Sequence, residues 1–557
     1  MVSYSKKSTL YLWIFTAWAL LMFLFGYYTV RDGIIVTWDQ GKPVMAVLEG
    51  VNFGVFTNLF LFFSVQNFTY PIMYQHIKNP EAKHERKILA KPLPSDWHPI
   101  VKLLYTTYND FIPYALNECM NQTYDNVKTV ILDNSTDQHF INLIRQFCKV
   151  HPDVEWVRDV PNHHAKAGNL DNYLCHEGRD TYDYFVILDS DELLQPDFVE
   201  KCLKFFYYGN HLGILQCNHI SGRNDNAFMD MFAHSGNSFW PVQNSVRSSE
   251  NGYLAPTKHP QVIKPGDTVD IGLGHGVMVS RKCFDSFGEF PWMVAEDMCS
   301  SCEALLKGWN IKFATQIYGN EEFPINMEAL MVRSSKFCSA NFQFFNRYVR
   351  RLFKTKLLTR RQKLDLLSFT LNVPTFALMY MSLILCSIVF PLDRVPMGYN
   401  AIMLLPTLLC YFSQSITDGV FEFQDGMPFW DVMKYELESM IMYGSFYYLT
   451  VKCTVLALLG VPAKFNVTPK SNTKITYHQA FMENIGSITF SLITIITCIV
   501  ISRSSWILLS FVPGCLGWLM SLKANHQSKS DKKKQKILSD YNYYALYHPE
   551  HVLKWYE

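Results

Sequence analysis

The sequence predicts an α/β domain with a mainly parallel sheet, inserted into a bundle of about six transmembrane helices with interfacial helices beside them. Three observations carry this. Apolar runs long enough to span about 30 Å of hydrocarbon occupy both ends of the chain. Residues 76–340 between them contain no such run, which leaves room for one large domain. Inside that interval, strand-like apolar runs alternate with helical ones, and the strands end on polar residues.

Composition agrees. Of 557 residues, 15% are aromatic and only 18% charged, a skew typical of membrane chains. The net charge of +1 gives no general attraction to nucleic acid. Fourteen cysteines lack regular spacing, so a disulfide framework is a poor reading and reduced thiols in the cytosol a better one.

The spans are expected at residues 9–30, 51–73, 366–390, 399–420, 484–502 and 506–522. The first is too long for a signal-peptide core and lacks a small-residue cleavage site. Lys6 and Lys7 place the N-terminus inside, as do Lys523, Lys532, Lys533, Lys534 and Lys536 for the tail. Residues 421–460 mix Asp431, Lys434, Glu436, Glu438 and Lys452 with aromatics and read as interfacial, a seventh crossing being the alternative. Residues 341–356 carry Phe342, Phe345, Tyr348 and Leu352 on one helical face, and Arg347, Arg350, Arg351 and Lys354 on another. A basic amphipathic helix in the headgroup plane fits this, and a core helix of the soluble domain competes with it.

In the central domain, residues 100–105, 127–132 and 184–188 read as buried strands. Polar groups follow each: Tyr108-Asn109-Asp110, Asp133-Asn134 and Asp189-Ser190-Asp191. Ligands of parallel sheets bind beyond such ends. Asp189 and Asp191 are hard oxygen donors that suit Mg²⁺ or Mn²⁺ on a diphosphate. Glu296-Asp297 opens a helix, where a carboxylate can be held to take a proton from an acceptor hydroxyl; an N-cap is the competing role for Asp297. The lone Cys299-x-x-Cys302 and the His163-His164 pair lack the partners that a metal site needs.

Taken in this order, the chain resembles the processive membrane-integrated family-2 glycosyltransferases, the group of cellulose, hyaluronan and chitin synthases. Thr106-Thr107-Tyr108-Asn109-Asp110 looks like their first nucleotide motif. Asp133 looks like their uracil-holding aspartate, and His164-Ala165-Lys166-Ala167-Gly168-Asn169-Leu170 like the cellulose-synthase form of the next. The resemblance implies a GT-A-like cytosolic domain, with Thr107, Tyr108, Asp110, Asp133, Lys166 and Asp189 on the nucleotide. It further implies Asp189 and Asp191 on the metal, and Asp297 with Glu296 as the catalytic acids, Asp297 being the base. Phe465, Val467, Thr468 and Lys470 match the cellulose-synthase gating loop, a lid over the nucleotide. One departure stands out: Gln-x-x-Arg-Trp is here Arg333-Ser334-Ser335-Lys336-Phe337. Arg333 and Lys336 then face the diphosphate, while Phe337 and Trp292 guide the acceptor sugar. Such departures suit relatives of the type 37 pneumococcal capsule glucan synthase kind.

The implied organisation is an N-terminal transmembrane helix pair (1–75), a cytosolic GT-A domain (76–340) and an amphipathic interfacial helix (341–362). A transmembrane channel region (363–523) with its gating loop (465–470) and a basic cytosolic tail (524–557) follow. The implied activity is inverting, processive polymerisation of glucose from UDP-glucose into a β-glucan capsule or exopolysaccharide, translocated across the plasma membrane. Expected partners are the UDP-sugar donor, the growing polysaccharide and the lipid bilayer, with no nucleic acid. The competing readings are a hyaluronan- or chitin-type synthase using UDP-N-acetylglucosamine, a non-processive enzyme acting on a lipid carrier, and a transporter with an inactive enzyme-like domain.

Overall fold

The computed structural model describes residues 10–161, 163–209, 211–221, 226–249, 267–395, 415–423, 427–461, 474–502 and 507–527. Strand β1 (Val101–Thr107) is buried along its whole length. Its neighbours are β2 (Val127–Asp133), β3 (Glu155–Arg158) and β4 (Tyr184–Leu188). Short β5 (Leu193–Leu194), long β6 (Leu212–Ser221), β7 (Val277–Ser280) and β8 (Asn310–Glu321) complete the sheet. The order is β3-β2-β1-β4-β7-β6-β8-β5. In β1, Leu103 and Tyr105 enter one apolar cluster and Leu104 the other, so both faces of the sheet are covered.

The expected mainly parallel sheet is corrected to a mixed one. β3, β2, β1 and β4 pair in parallel, but β7 enters antiparallel between β4 and β6, and β5 pairs antiparallel with β8. Strand direction is set by where the chain returns to the sheet, and a four-residue apolar run such as Val277–Ser280 carries no sign of it. The parallel half still aligns the strand ends, with Thr107 opposite Asp133 and Tyr105 opposite Leu188.

The stretch expected to lie in the headgroup plane is part of a 28-residue helix, Met327–Lys354. Ala340, Phe344, Tyr348 and Leu352 on it belong to the domain core. Tyr348 donates a hydrogen bond to Glu303 Oε1 (2.9 Å) and Arg351 Nη2 donates to Glu303 Oε2 (2.7 Å). The apolar face is thus satisfied by protein, and Arg351 by a carboxylate on the helix Glu296–Leu306.

Six spans are likewise not what the described residues give. Two helices are long and apolar enough to cross a membrane, Thr16–Asp39 and Phe429–Leu458, or up to three if the pair Tyr477–Glu483 and Ile485–Ile501, bent by 63°, is one span. The second lies in the segment read as interfacial. Four of its five charges, Asp431, Lys434, Glu436 and Glu438, gather near one end, where Glu438 pairs with Lys434 (3.6 Å) and with Lys523, while Lys452 stands near the other. Pro43–Thr57, Tyr380–Leu392 and Leu508–Lys523 are shorter apolar helices. Most of 399–420 and the loop residues Phe465, Val467, Thr468 and Lys470 fall outside the described residues. Trp18 and Phe25 near the N-terminus pack in one cluster with Tyr380, Tyr447 and Phe511, so helices from both ends of the chain share a core.

Candidate active site

The strand-end motifs converge. Thr107 Oγ1 and the Tyr108 N–H both donate to Asp110 Oδ1, each at 2.9 Å, and Ser190 Oγ donates to Asp110 Oδ2 at 2.6 Å. Asp110 therefore ties the turn after β1 to the Asp189-Ser190-Asp191 turn after β4. Tyr108 is left exposed beside it. Asn109 adopts a left-handed backbone (φ 57°), and its side-chain oxygen caps the N–H groups of Thr136 and Asp137 (2.9 and 2.8 Å).

Asp133 is fully buried, yet its carboxylate is well satisfied. It accepts from the Ser135 N–H (2.7 Å), Arg158 Nε (3.0 Å) and Trp156 Nε1 (3.2 Å). Sequence reading missed Arg158 and Trp156; the signal was the polar end of β3, which the register sets opposite Asp133.

Lys166, on the first turn of the helix Ala165–Asn172, makes an ion pair with Asp189 and donates to the Gly274 carbonyl (2.8 Å). Burial pulls the Lys166 ammonium down, but Asp189, Glu296 and Asp297 outweigh it and hold the group above its ordinary range. Lys166, Glu296, Asp297, Gly274 and Ser300 line one cavity over an apolar floor that includes Ile187 and Phe290. The helix carrying the two acids is capped at Ala295, without a side-chain hydrogen bond. Asp297 is therefore not the N-cap; its Oδ1 accepts from the Met298 N–H at 2.7 Å. Ser300 and Ser301 donate to the Asp297 carbonyl (2.9 and 2.7 Å), and the Gly272 N–H donates to Ser301 Oγ (2.9 Å).

Burial raises both carboxyls, pushing Glu296 up to about 8 with help from the Asp297 charge, while Lys166 opposes it; Asp297 rises in the same direction. Neighbouring acids that hold a proton this tightly ionise only as the pH climbs. Transfer that needs ionised Asp297 is expected to fall as pH drops into this raised range, above the ordinary carboxylate limb. Glu296, raised by burial and in part by the Asp297 charge, is still neutral while Asp297 ionises, so Glu296→Gln is expected to leave that limb near its wild-type position, measured as kcat/KM against pH for both proteins.

Gly274 was also missed, although glycines at 272, 274 and 276 advertise a close backbone approach. Its φ is +86°, and a Cβ there would stand 3.2 Å from both Cβ and Oδ2 of Asp297. Gly274→Ala is expected to cost about 1–2 kcal/mol in backbone strain. By displacing Asp297 it should also lower kcat by roughly 10-fold or more, with KM changed less, as steady-state kinetics would read.

Trp292 is half-exposed, stacked on His164 (centroids 3.9 Å apart, planes 8°) and anchored through Nε1 to Asp171 Oδ2 at 3.1 Å. Such an immobilised ring suits a sugar face. Arg333, Lys336 and Phe337 lie inside the helix Met327–Lys354, not at a cap. The Arg333 guanidinium sits 5.8 Å from the ring centres of both Phe232 and Phe337, and Phe337 is 47% exposed.

With this geometry in hand, similarity to known proteins is informative. Residues 184–414 match the family described as "Glycosyl transferase family group 2". The chain is 20% identical over 388 residues to glucomannan 4-beta-mannosyltransferase 1 of Oryza sativa subsp. japonica, covering 65% of this chain and 71% of that protein. It is 25% identical over 155 residues to the cellulose synthase catalytic subunit [UDP-forming] of Pseudomonas fluorescens (strain SBW25), covering 27% of this chain and only 20% of that one. Among solved structures, the mannosyltransferase PcManGT from Pyrobaculum calidifontis in complex with GDP-Man and Mn²⁺ aligns with TM-score 0.44 at 18% identity, over 67% of this chain and 99% of that one. A mixed sheet with acids at its strand ends is what the resemblance to a GT-A-like domain implies. Residues 184–414 thus resemble a family 2 glycosyltransferase domain, and the proteins the chain is similar to include glucomannan, cellulose, chondroitin and hyaluronan synthases.

Proposed function

We propose that the protein is a processive, inverting synthase that builds a β-glucan from UDP-glucose and passes it through its own membrane helices. The observation that carries the reading is that Lys166, paired with Asp189, lines one cavity together with Glu296 and Asp297. Thr107, Tyr108, Asp110 and Asp133 hold the nucleotide at the parallel edge of the sheet. Asp189 and Asp191 would hold Mg²⁺ or Mn²⁺; both are hard oxygen donors, and Asp189 already balances one positive charge, that of Lys166. When bound, the ion supplies charge compensation to the departing diphosphate. Lys166 adds a cation on the donor side, with Arg333, Lys336 and Lys470 completing it. Asp297 takes the proton of the acceptor hydroxyl, whose oxygen bonds to the anomeric carbon as the bond to the diphosphate breaks, inverting that centre. Trp292 and Phe337 offer faces to the acceptor. The two candidate spans support a membrane setting, and Lys6 and Lys7 before the first of them support a catalytic domain on the cytosolic side.

Glucose is preferred because the His-Ala-Lys-Ala-Gly-Asn-Leu stretch and the 465–470 loop both take the cellulose-synthase form. A mannosyl donor is the second reading, favoured by the rice relative's name. UDP-glucose, UDP-N-acetylglucosamine and GDP-mannose, each radiolabelled and offered singly with Mg²⁺ or Mn²⁺ to the purified chain, separate these. High-molecular-weight product from UDP-glucose alone, cut by β-glucanases, is expected. Product from another donor alone, or a small glycolipid extractable into organic solvent, overturns the proposal.

A further inference from the structure

Directly behind the two strand-end aspartates lies a second group of donors that no part of the transfer chemistry uses. Glu192, the residue after Asp191, is fully buried, as is His219 on β6. His275, from the loop that also carries Gly274, closes the group. Glu192 Oε2 and His275 Nδ1 are 2.5 Å apart, and Glu192 Oε1 and His219 Nε2 are 3.4 Å apart. The ligand atoms of all three residues lie within 4.8 Å of one another. Cys217 Sγ, also buried on β6, is 3.7 Å from His219 Nε2.

Two features set the cluster apart from an ordinary buried ion pair. Glu192 Oε1 faces His219 Nε2 at 3.4 Å without a well-directed hydrogen bond, although the side chain is wholly out of water. A buried carboxylate oxygen left in that state is costly. The space it faces is also kept clear by glycine. A Cβ on Gly276 (φ +52°) would stand 2.5 Å from His219 Nε2, 2.7 Å from Cys217 Sγ and 2.8 Å from Glu192 Oε1, and one on Gly319 would collide with the same carboxylate oxygen. A nitrogen, a sulfur and an oxygen donor thus converge on one point beside the Gly276 α-carbon.

We propose that Glu192, Cys217, His219 and His275 bind a single zinc-class transition-metal ion, distinct from the Mg²⁺ or Mn²⁺ of Asp189 and Asp191. Softness decides the class: thiolate and imidazole select zinc, whereas an all-carboxylate pair selects the hard divalent ions. Tetrahedral bonds of about 2.0–2.3 Å place donor atoms roughly 3.3–3.8 Å apart, which the 3.4 Å and 3.7 Å separations already approach. The Glu192–His275 hydrogen bond would give way to the metal. A thiolate and a carboxylate balance the dication, so the buried site is neutral. The ligands come from the turn after Asp191, from β6 and from the 272–276 loop; the ion would pin together the pieces that hold Asp191 and back Asp297. The inference is independent of which sugar is transferred.

The test is elemental analysis of the full-length chain, purified in detergent without chelator and without a metal-affinity column. About one zinc per chain is expected, undiminished by washing with excess Mg²⁺. After exchange with Co²⁺, wild type should show a thiolate-to-cobalt charge-transfer band, and Cys217→Ser, the mildest change, should lose that band while keeping the d–d bands. His219→Ala should lower metal content about tenfold or more, in line with loss of a ligand. Absence of both zinc and cobalt uptake in wild type overturns the site. Unchanged content in His219→Ala, or an unchanged charge-transfer band in Cys217→Ser, also overturns it. Donor binding and turnover read the proposed transfer separately, so failure of one leaves the other measurable.

Discussion

Asp297→Asn is expected to lower sugar transfer by roughly 10³-fold or more while UDP affinity changes by no more than a few fold. The reason lies in where Asp297 sits. It lines the same cavity as Lys166 but faces it from the helix Glu296–Leu306, a different element from the strand ends proposed to hold the nucleotide. Removing a positioned general base costs about 10²–10⁴ in rate. Asparagine is nearly isosteric and can still accept the 2.7 Å hydrogen bond from the Met298 N–H, so the helix start should survive. UDP release measured against time, with UDP binding by calorimetry on the same preparation, checks it. Turnover near the wild-type level would remove Asp297 from the role, and a parallel collapse of UDP binding would mean that it acts on the donor instead.

The second large effect is expected at Asp191. Asp191→Ala should reduce transfer on the order of 10²–10³-fold, the usual cost of losing one preorganised charge-stabilising group. Raising Mg²⁺ or Mn²⁺ should recover part of the loss if the remaining Asp189 still holds the ion weakly. Asp189→Ala is expected to be worse, because it also strips Lys166 of its ion-pair partner and leaves that buried ammonium to the Gly274 carbonyl and the charges of Glu296 and Asp297. Initial rates against metal concentration for the two variants read this. Equal losses, insensitive to metal, would assign both residues to the scaffold and not to the diphosphate.

Much of this site was legible before any fold was known, for a local reason. Asp189 follows a run of five apolar residues, and a run that buries itself on both faces can end only where the chain emerges, so the carboxylate had to stand at the sheet's edge. The same logic placed Tyr108, Asp110 and Asp133. It failed for residues whose position depends on chain-distant partners. Arg158 looks like any exposed cation until the β2–β3 register sets it against Asp133. Gly274 is one glycine among 27 until its carbonyl meets Lys166 and its missing side chain makes room for Asp297. Arg333 and Phe337 were legible as a pair, one helical turn apart, but not as neighbours of Phe232.

The membrane part divides the same way. Hydropathy alone located apolar helices near both termini, because water and lipid sort residues without regard to fold. Phe429–Leu458, read as interfacial with a seventh crossing as the alternative, is by length and composition a candidate span, with Glu438 paired to Lys434 and Lys523 near one end. The helix Met327–Lys354 shows the converse. Its amphipathic pattern is real, but a pattern states only that one face must be covered. Tertiary structure supplied the cover, the core of the catalytic domain. The sequence by itself determined which segments bury themselves and which acids stand at strand ends, since burial and strand termination are properties of neighbouring residues. The fold alone decided the direction of β7, the partners of Asp133 and Asp297, and the gathering of Glu192, His219 and His275, since these depend on contacts between segments far apart in the chain.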